Sequence, residues 1–152
     1  MTAFDYIAAA ARPHRPHVAY LRRWLPKAAQ HVRAAPAQVS IALVGDTKMA
    51  ALHEQFLNIP GPTDVLTFEL DHDARGRCTS GEIVVCVPYA VREARRRRID
   101  ARREVLLYAL HGLLHLSGYD DRTAADHKRM HRAEDRTLKA IGIGAVFDPP
   151  PR

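Results

Sequence analysis

The sequence predicts a single domain in which helices and strands are mixed, and three observations support this. The chain has 152 residues, a length that is typical of one domain rather than two. Hydrophobic residues make up 47% and charged residues 26%, which is ordinary for a globular protein and argues against general disorder. Apolar residues recur at helical spacing in some segments and form short strand-like runs in others. We therefore expect one domain over residues 1–152.

The first half of the chain is predicted to contain two helices and at least one strand. Residues 4–11 form a short apolar run that fits either an edge strand or the start of a helix. Residues 18–33 carry apolar side chains at helical spacing, with a kink expected at Pro26. Residues 39–44 are typical of a strand, and residues 47–56 are typical of a helix.

Two further strands are predicted in the middle of the chain. Residues 58–64 include two prolines and a glycine and are expected to form a loop. Residues 65–70 and 82–87 are strand-like, and the polar segment between them favours a hairpin. From Pro88 onward the pattern becomes helical.

The last third of the chain is predicted to be helical. A helix over residues 100–116, with Asp100 as its N-cap, is apolar nearly all round, which is typical of a helix buried in a core. Gly118 is expected to end this helix, because glycine accepts positive φ. A final helix spans residues 123–141, and the proline-rich tail at 148–152 is expected to be disordered.

Charge and composition indicate which kinds of partner the protein binds and in which cellular compartment it is found. The net charge is +6, and residues 92–103 carry +5 of it through seven arginines and two acids. A basic stripe suits a polyanion such as nucleic acid, although a solvated arginine-rich helix face gives the same pattern. We find no apolar run of the ~20 residues that cross a bilayer and no secretory signal. Cys78 and Cys86 are too few for a disulfide scaffold. These features predict a cytoplasmic protein without a membrane partner.

Two histidines interrupt the predicted buried helix at a spacing that suits a metal ion. His111 and His115 are four residues apart, so both imidazoles leave the same face one turn apart. After the bend at Gly118, Asp120 and Asp121 each offer a carboxylate that can complete a three-ligand site. Three protein ligands leave one position open for water, which is the arrangement of catalytic rather than structural zinc sites.

Other interpretations of these residues stay open. Two core histidines can also be satisfied by backbone carbonyls without a metal. Gly112 stands where peptidases of the HExxH type carry a glutamate base, which disfavours a peptidase. Glu104, Tyr108 and Asp120 are candidates for outer-shell groups around a metal, although Glu104 could equally be solvated or paired.

A second pair of histidines, His127 and His131, has the same four-residue spacing. Charged residues flank this pair, so both side chains are expected on the surface, although His127 could replace the carboxylate ligand. The other five histidines have no partner at metal-ligand spacing and are also expected on the surface: His14, His17, His31, His53 and His72.

Three motifs, in order along the chain, resemble one known family. Residues 111–120, HGLLHLSGYD, look like the signature of the YbeY-type rRNA maturation factors, which are metal-dependent endoribonucleases. Leu57-Asn58, followed by PTDVLTF at residues 62–68, is similar to that family's Asn and Pro-Thr-Asp-Val-Leu-Ser-Phe. Residues 81–83, GEI, resemble its Gly-Asp-Ile strand entry. The resemblance runs from about residue 39 to residue 134.

The resemblance implies an α+β fold: a small mixed four-stranded sheet packed with about five helices, of which one is a central, buried, metal-binding helix. It also implies one Zn²⁺ per chain, or another divalent metal, and a single-stranded RNA substrate. The implied activity is endonucleolytic maturation of the 3′ end of small-subunit rRNA, together with ribosome quality control. The implied partner is the small ribosomal subunit.

The site implied by the resemblance places His111 and His115 around a metal that activates water for attack on a phosphodiester. Asp121 stands where the family carries its third histidine ligand, which gives a set of two histidines and one aspartate. RNA phosphates are expected to contact three arginines whose spacing would place them on one helix face: Arg95, Arg98 and Arg102.

The sequence departs from the family pattern at two further places. Only residues 59–61 separate Asn58 from the PTDVLTF motif, so a family arginine that is thought to bind phosphate is absent. Thr67 and Glu82 stand in place of Ser and Asp. Two alternatives therefore accompany the endoribonuclease hypothesis. One is a catalytically weakened protein that binds RNA or assembling ribosomes and has a structural metal, and the other is a metal hydrolase of another substrate class.

Overall fold

The fold combines one sheet with five helices over the residues that the computed structural model describes, which are 1–7 and 12–144. The strands are β1 (Ala3–Ile7), β2 (Gln38–Val44), β3 (Val65–His72) and β4 (Cys78–Cys86). The helices are α1 (Arg15–Ala29), α2 (Asp46–Leu57), α3 (Val87–Arg97), α4 (Ala101–Leu116) and α5 (Ala124–Ala140). The predicted α+β class is confirmed. The tail at 148–152 lies outside the described residues.

The sheet is mixed, with the strand order β1-β2-β4-β3. β1 and β2 are parallel, as are β2 and β4, whereas β3 runs antiparallel to β4. The first apolar run therefore starts as an edge strand. The predicted hairpin of β3 and β4 is confirmed, and its turn is held by Asp73, which accepts hydrogen bonds from the backbone N–H groups of Arg75 and Arg77 at 2.8 and 3.0 Å.

Helix α4 occupies the centre of the core, in contact with α1, α3, α5 and the strands β3 and β4. Its leucines are almost fully buried, as the all-round apolar pattern predicts. Gly112 allows α4 to lie close against the sheet. A Cβ atom at this position would lie 2.7 Å from Cγ2 of Ile83 and 2.9 Å from Cγ2 of Thr67, so a larger residue would force the helix away.

Both ends of α4 are formed as the sequence predicts. The Asp100 side chain accepts a hydrogen bond from the backbone N–H of Arg102 at 2.8 Å and caps the first turn. Gly118 has a φ of 106°, a value that favours glycine and turns the chain away from the helix. No helix among the described residues is long and apolar enough to span a membrane.

The prediction that Arg95, Arg98 and Arg102 share one helix face is wrong. Helix α3 ends at Arg97, and Arg98 adopts a left-handed conformation with a φ of 56°. A new helix, α4, begins after the Asp100 cap. The three arginines therefore belong to the end of one helix, a turn and the start of another, because a cap interrupts the apparent periodicity.

Two histidines that were expected on the surface are buried instead. His17 is 7% exposed and His53 is 9% exposed. Burial is the main cause that lowers the pKa of His17. His53 lies on α2, and its Nδ1 is 2.9 Å from the carbonyl oxygen of Gly61. This hydrogen bond gives Nδ1 a partner without a metal.

Candidate metal centre

His111 and His115 project from the last two turns of α4 and meet edge to face. Their ring centroids are 4.6 Å apart, and their Nε2 atoms are 3.1 Å apart. Both side chains are partly buried, with exposed fractions of 19% and 24%. The spacing of four residues thus places both imidazoles together on one face, as the sequence predicts.

The outer nitrogens of both rings face acceptors. Nδ1 of His115 donates to the backbone carbonyl of Tyr119 at 3.1 Å. Nδ1 of His111 faces Oε2 of Glu134 at 3.6 Å. Because a proton on Nδ1 leaves a lone pair on Nε2, neutral rings that are both protonated on Nδ1 would bring two Nε2 lone pairs face to face. Such a pair repels unless a cation or a shared proton lies between the rings.

Charge around His111 favours a cation at this place. Burial alone would lower the pKa of His111, but the Glu134 carboxylate, with smaller contributions from Asp64 and Asp121, outweighs burial and raises it. Glu134 is 1% exposed and lies on α5. The buried carboxylate therefore stabilises positive charge on or beside the imidazole.

Asp121 completes a three-membered group. Its Oδ2 lies 3.5 Å from Nε2 of His111 and 3.3 Å from Nε2 of His115, and one ligand atom from each of the three residues lies within 4.8 Å of the others. A tetrahedral ion with bonds of about 2.0–2.1 Å separates neighbouring ligand atoms by about 3.3–3.4 Å. The observed separations fit such an ion, and the structure thus brings together the three residues that were predicted as ligands.

The three predicted outer-shell residues have different positions. Asp120 accepts a hydrogen bond from the backbone N–H of Asp121 at 2.8 Å and so shapes the loop that carries the third carboxylate. Both oxygens of Glu104 accept from Nη1 of Arg97 at 3.0 and 2.9 Å, and Tyr108 is a close neighbour of Glu104. Glu104 and Tyr108 line the same cleft as the histidines, but their contacts are with Arg97 and each other.

Burial perturbs both of these residues. It raises the pKa of Glu104, and the nearby Arg97 offsets part of this effect. Burial also raises the pKa of Tyr108, and the negative charge of the neighbouring Glu104 raises that pKa further. The buried ion pair of Glu104 with Arg97 joins α3 to α4 and forms one wall of the cleft.

The cleft above the histidines is open, with a volume of about 930 Å³. Its lining contains six carboxyl groups and three arginines, Arg96, Arg97 and Arg122. Each of these arginines has an acidic neighbour, at 2.6, 2.9 and 3.5 Å respectively. Arg95, Arg98 and Arg102 do not belong to the lining.

Sequence reasoning missed two features of the cleft. The first is Glu134, which contacts both His111 and His131. The sequence feature that could have indicated it is its position on the same side of α5 as the buried Met130 and Leu138. His127 is exposed as expected, but it lines the cleft together with the partly buried His131. Flanking charged residues gave no indication that these two side chains face the first histidine pair's cleft.

Comparisons with known proteins agree with the geometry. The family model for endoribonuclease YbeY matches residues 12–142. An endoribonuclease YbeY from Anaeromyxobacter sp. is 38% identical over 130 residues, which cover 83% of this chain and 68% of that protein. The endoribonuclease YbeY of Moorella thermoacetica is 35% identical over 119 residues, covering 72% of this chain and 76% of that protein.

A solved structure shows the same fold. The solution structure of TM1509 from Thermotoga maritima covers 92% of this chain and 91% of its own, with a TM-score of 0.53 and 24% sequence identity. The family match extends over most of the chain and includes the histidine pair and the strands beneath it. The chain belongs to the endoribonuclease YbeY family of metal-dependent hydrolases.

Proposed function

We propose that this protein is a single-strand-specific, metal-dependent endoribonuclease whose ion is held by His111, His115 and Asp121. The observation that carries the proposal is the approach of the two Nε2 atoms to 3.1 Å, with a carboxylate oxygen at 3.3 and 3.5 Å from them. When bound, a divalent ion supplies Lewis-acid stabilisation of a phosphate oxygen and lowers the pKa of water toward neutrality. Three protein ligands leave room in its coordination for substrate.

The residues around the ligands keep them in place. Glu134 and the carbonyl of Tyr119 fix the orientation of the two imidazoles, so that both Nε2 atoms point at one position. Asp120 accepts a hydrogen bond from the backbone N–H of Asp121, which stabilises the loop that carries the third proposed ligand. This preorganisation would hold an ion in one position without further rearrangement of the protein.

Preference for single strands is supported by the aromatic side chains of the cleft. Phe56 is 52% exposed and packs edge to face on Phe68, with ring centroids 4.9 Å apart. Both rings line the cleft. Unpaired bases can stack on such rings, whereas the bases of a duplex are already stacked on each other.

The ligand set favours zinc. Two imidazoles and one carboxylate suit a borderline ion in tetrahedral geometry, and one such group occurs in the described residues. We therefore propose one Zn²⁺ per chain at this centre. The aspartate would lower the net charge of the bound ion relative to a set of three histidines.

The proposed biological role follows from membership of the family. We propose that the enzyme matures the 3′ end of small-subunit rRNA and takes part in ribosome quality control, in contact with the small ribosomal subunit in the cytoplasm. Arg95, Arg98 and Arg102 are proposed to contact RNA phosphates outside the cleft, where Arg95 and Arg98 are exposed and Arg102 is held by Asp100.

The test compares the zinc-loaded protein with His115→Ala, which removes one ligand, and with His31→Ala, which changes an exposed histidine on the loop after α1. We expect the wild type and His31→Ala to cleave a single-stranded RNA oligonucleotide and to spare the same sequence in a duplex. His115→Ala should lose more than about 100-fold in rate, because even outer-shell changes cost 10–100-fold. Equal cleavage by all three proteins would contradict the metal mechanism. RNA binding without cleavage by the wild type would favour the RNA-binding alternative instead.

A further inference from the structure

His127 and His131 form a second pair with metal-ligand geometry in the same cleft. They lie one turn apart on α5, with ring centroids 5.0 Å apart. Nδ1 of His127 is 3.1 Å from Nε2 of His131, which is the separation found between the two Nε2 atoms of His111 and His115. A single ion with bonds of about 2.1 Å can contact both nitrogens at this distance.

Glu134 orients the His131 ring so that its Nε2 faces His127. Its Oε1 accepts a hydrogen bond from Nδ1 of His131 at 2.9 Å, so the proton of a neutral imidazole is on Nδ1 and the lone pair of Nε2 faces His127. A carboxylate behind a histidine is the usual support of a metal ligand. The other oxygen, Oε2, faces Nδ1 of His111 at 3.6 Å. One buried carboxylate thus orients one histidine of each pair.

The second pair is separate from the first centre. The group whose ligand atoms all lie within 4.8 Å of one another consists of His111, His115 and Asp121, and it includes neither His127 nor His131. Both pairs nevertheless line one open cleft. An ion at the second pair would therefore be an additional ion in the same space.

The negative charge of the cleft lining is a reason for a second cation to bind there. Six carboxylates and three guanidinium groups give the lining a formal charge of −3 when the histidines are neutral. One divalent ion would leave the lining negative, whereas a second would make it positive, which favours the binding of a polyanionic substrate. The need for positive charge rests on the proposed RNA substrate, but the ligand geometry is independent of it.

We propose that His127 and His131 hold a second divalent transition-metal ion beside the first. Two imidazoles select Zn²⁺, Co²⁺, Ni²⁺ or Cu²⁺ and disfavour Mg²⁺ and Ca²⁺, which prefer oxygen ligands. This ion binds more weakly than the ion at the first centre, because the protein supplies two ligands there instead of three. Because both histidines line the cleft, an ion held by them would lie within reach of phosphate oxygens of the substrate.

The test is equilibrium dialysis of metal-free protein against Zn²⁺, with Mg²⁺ as the comparison ion. The wild type should bind one Zn²⁺ tightly and a second at higher concentration. His127→Ala should weaken the second step at least about tenfold and leave the first unchanged, whereas His31→Ala should leave both steps unchanged. A wild type that binds one Zn²⁺ at saturation, or an unchanged second step in His127→Ala, would overturn the proposal.

A second measurement uses the wild-type protein alone and does not depend on variants. In imidazole ¹H–¹⁵N correlation spectra, the first equivalent of Zn²⁺ should shift the signals of His111 and His115, and later equivalents those of His127 and His131. If the first equivalent shifts His111 and His115 but no addition shifts the second pair, only the second site fails. If no addition shifts His111 or His115, the proposed function fails as well.

Discussion

At the scale of single residues, the cleft depends on two carboxylates with different tasks. Asp121 is partly exposed and points an oxygen at both Nε2 atoms. Glu134 is buried and faces the Nδ1 atoms of His111 and His131. In the proposed metal site, the first carboxylate would bind the ion and the second would orient the imidazoles that hold it.

We predict that Asp121→Ala lowers zinc occupancy more than Asp120→Ala does. The first change removes a proposed ligand, whereas the second removes a hydrogen-bond acceptor that only positions the loop. Elemental analysis of both variants after identical purification measures the difference. Equal zinc content in the two variants would count against the assignment of Asp121 as the third ligand.

The sequence allowed only part of the site to be predicted. His111 and His115 could be found because their spacing is local and lies within one helix, and Asp121 follows them after a single bend. Glu134 could not be found in the same way, because its contacts with His111 depend on how α5 packs on α4. For the same reason the flanking charges of His127 and His131 predicted a surface position, although the pair faces the cleft.

At the scale of elements, the site requires α4 to lie close to the sheet. Gly112 lies between the two histidines on α4 and has no side chain to hold the helix away from Ile83 and Thr67. The same position is the one at which HExxH peptidases carry glutamate, and here the packing leaves no space for that side chain.

We predict that Gly112→Ala destabilises the protein by about 1–2 kcal/mol. Overpacking of a core costs about 1–3 kcal/mol, and the 2.7 Å approach to Ile83 places this position in the upper half of that range. The better helix propensity of alanine returns about 1 kcal/mol. Chemical denaturation measures the free energy of unfolding. Adding Thr67→Ser, which removes one of the two crowded methyl groups, should recover part of the loss. An unchanged or higher stability of Gly112→Ala would show that the helix is not held this closely.

The elements themselves were predictable to different degrees. The boundaries of α4 follow from the Asp100 cap and Gly118, and the hairpin follows from two apolar runs separated by turn residues. The prediction that the arginine segment forms one helix face was wrong, because Arg98 in a left-handed conformation divides the segment between two helices. The parallel pairing of β1 with β2 and of β2 with β4 is a long-range feature that no local pattern contains.

At the scale of the whole molecule, part of the basic charge lies in the cleft and part lies outside it. The arginines that line the cleft have acidic neighbours, and the strongly basic segment at residues 92–103 extends beyond it. RNA that enters the cleft would therefore also meet positive charge outside it, which favours a substrate longer than the scissile nucleotides.

We predict that replacing Arg95, Arg98 and Arg102 together by glutamine makes RNA affinity less sensitive to salt. Each phosphate contact that is lost should reduce the slope of log affinity against log salt by about 0.7 for a single strand. A matched control replaces Arg75 and Arg77, which lie on the hairpin turn, by glutamine. An unchanged slope in the triple variant, or an equal change in the control, would remove these arginines from the proposed RNA contact.

Anomalous diffraction at the zinc edge, from crystals of the zinc-loaded protein, would show whether the ion lies between the two histidines and Asp121. We expect a strong peak within about 2.0–2.2 Å of Nε2 of His111, Nε2 of His115 and a carboxylate oxygen of Asp121, with no fourth protein ligand. A peak that is absent from this position, or an ion closed by a fourth protein atom, would contradict this expectation.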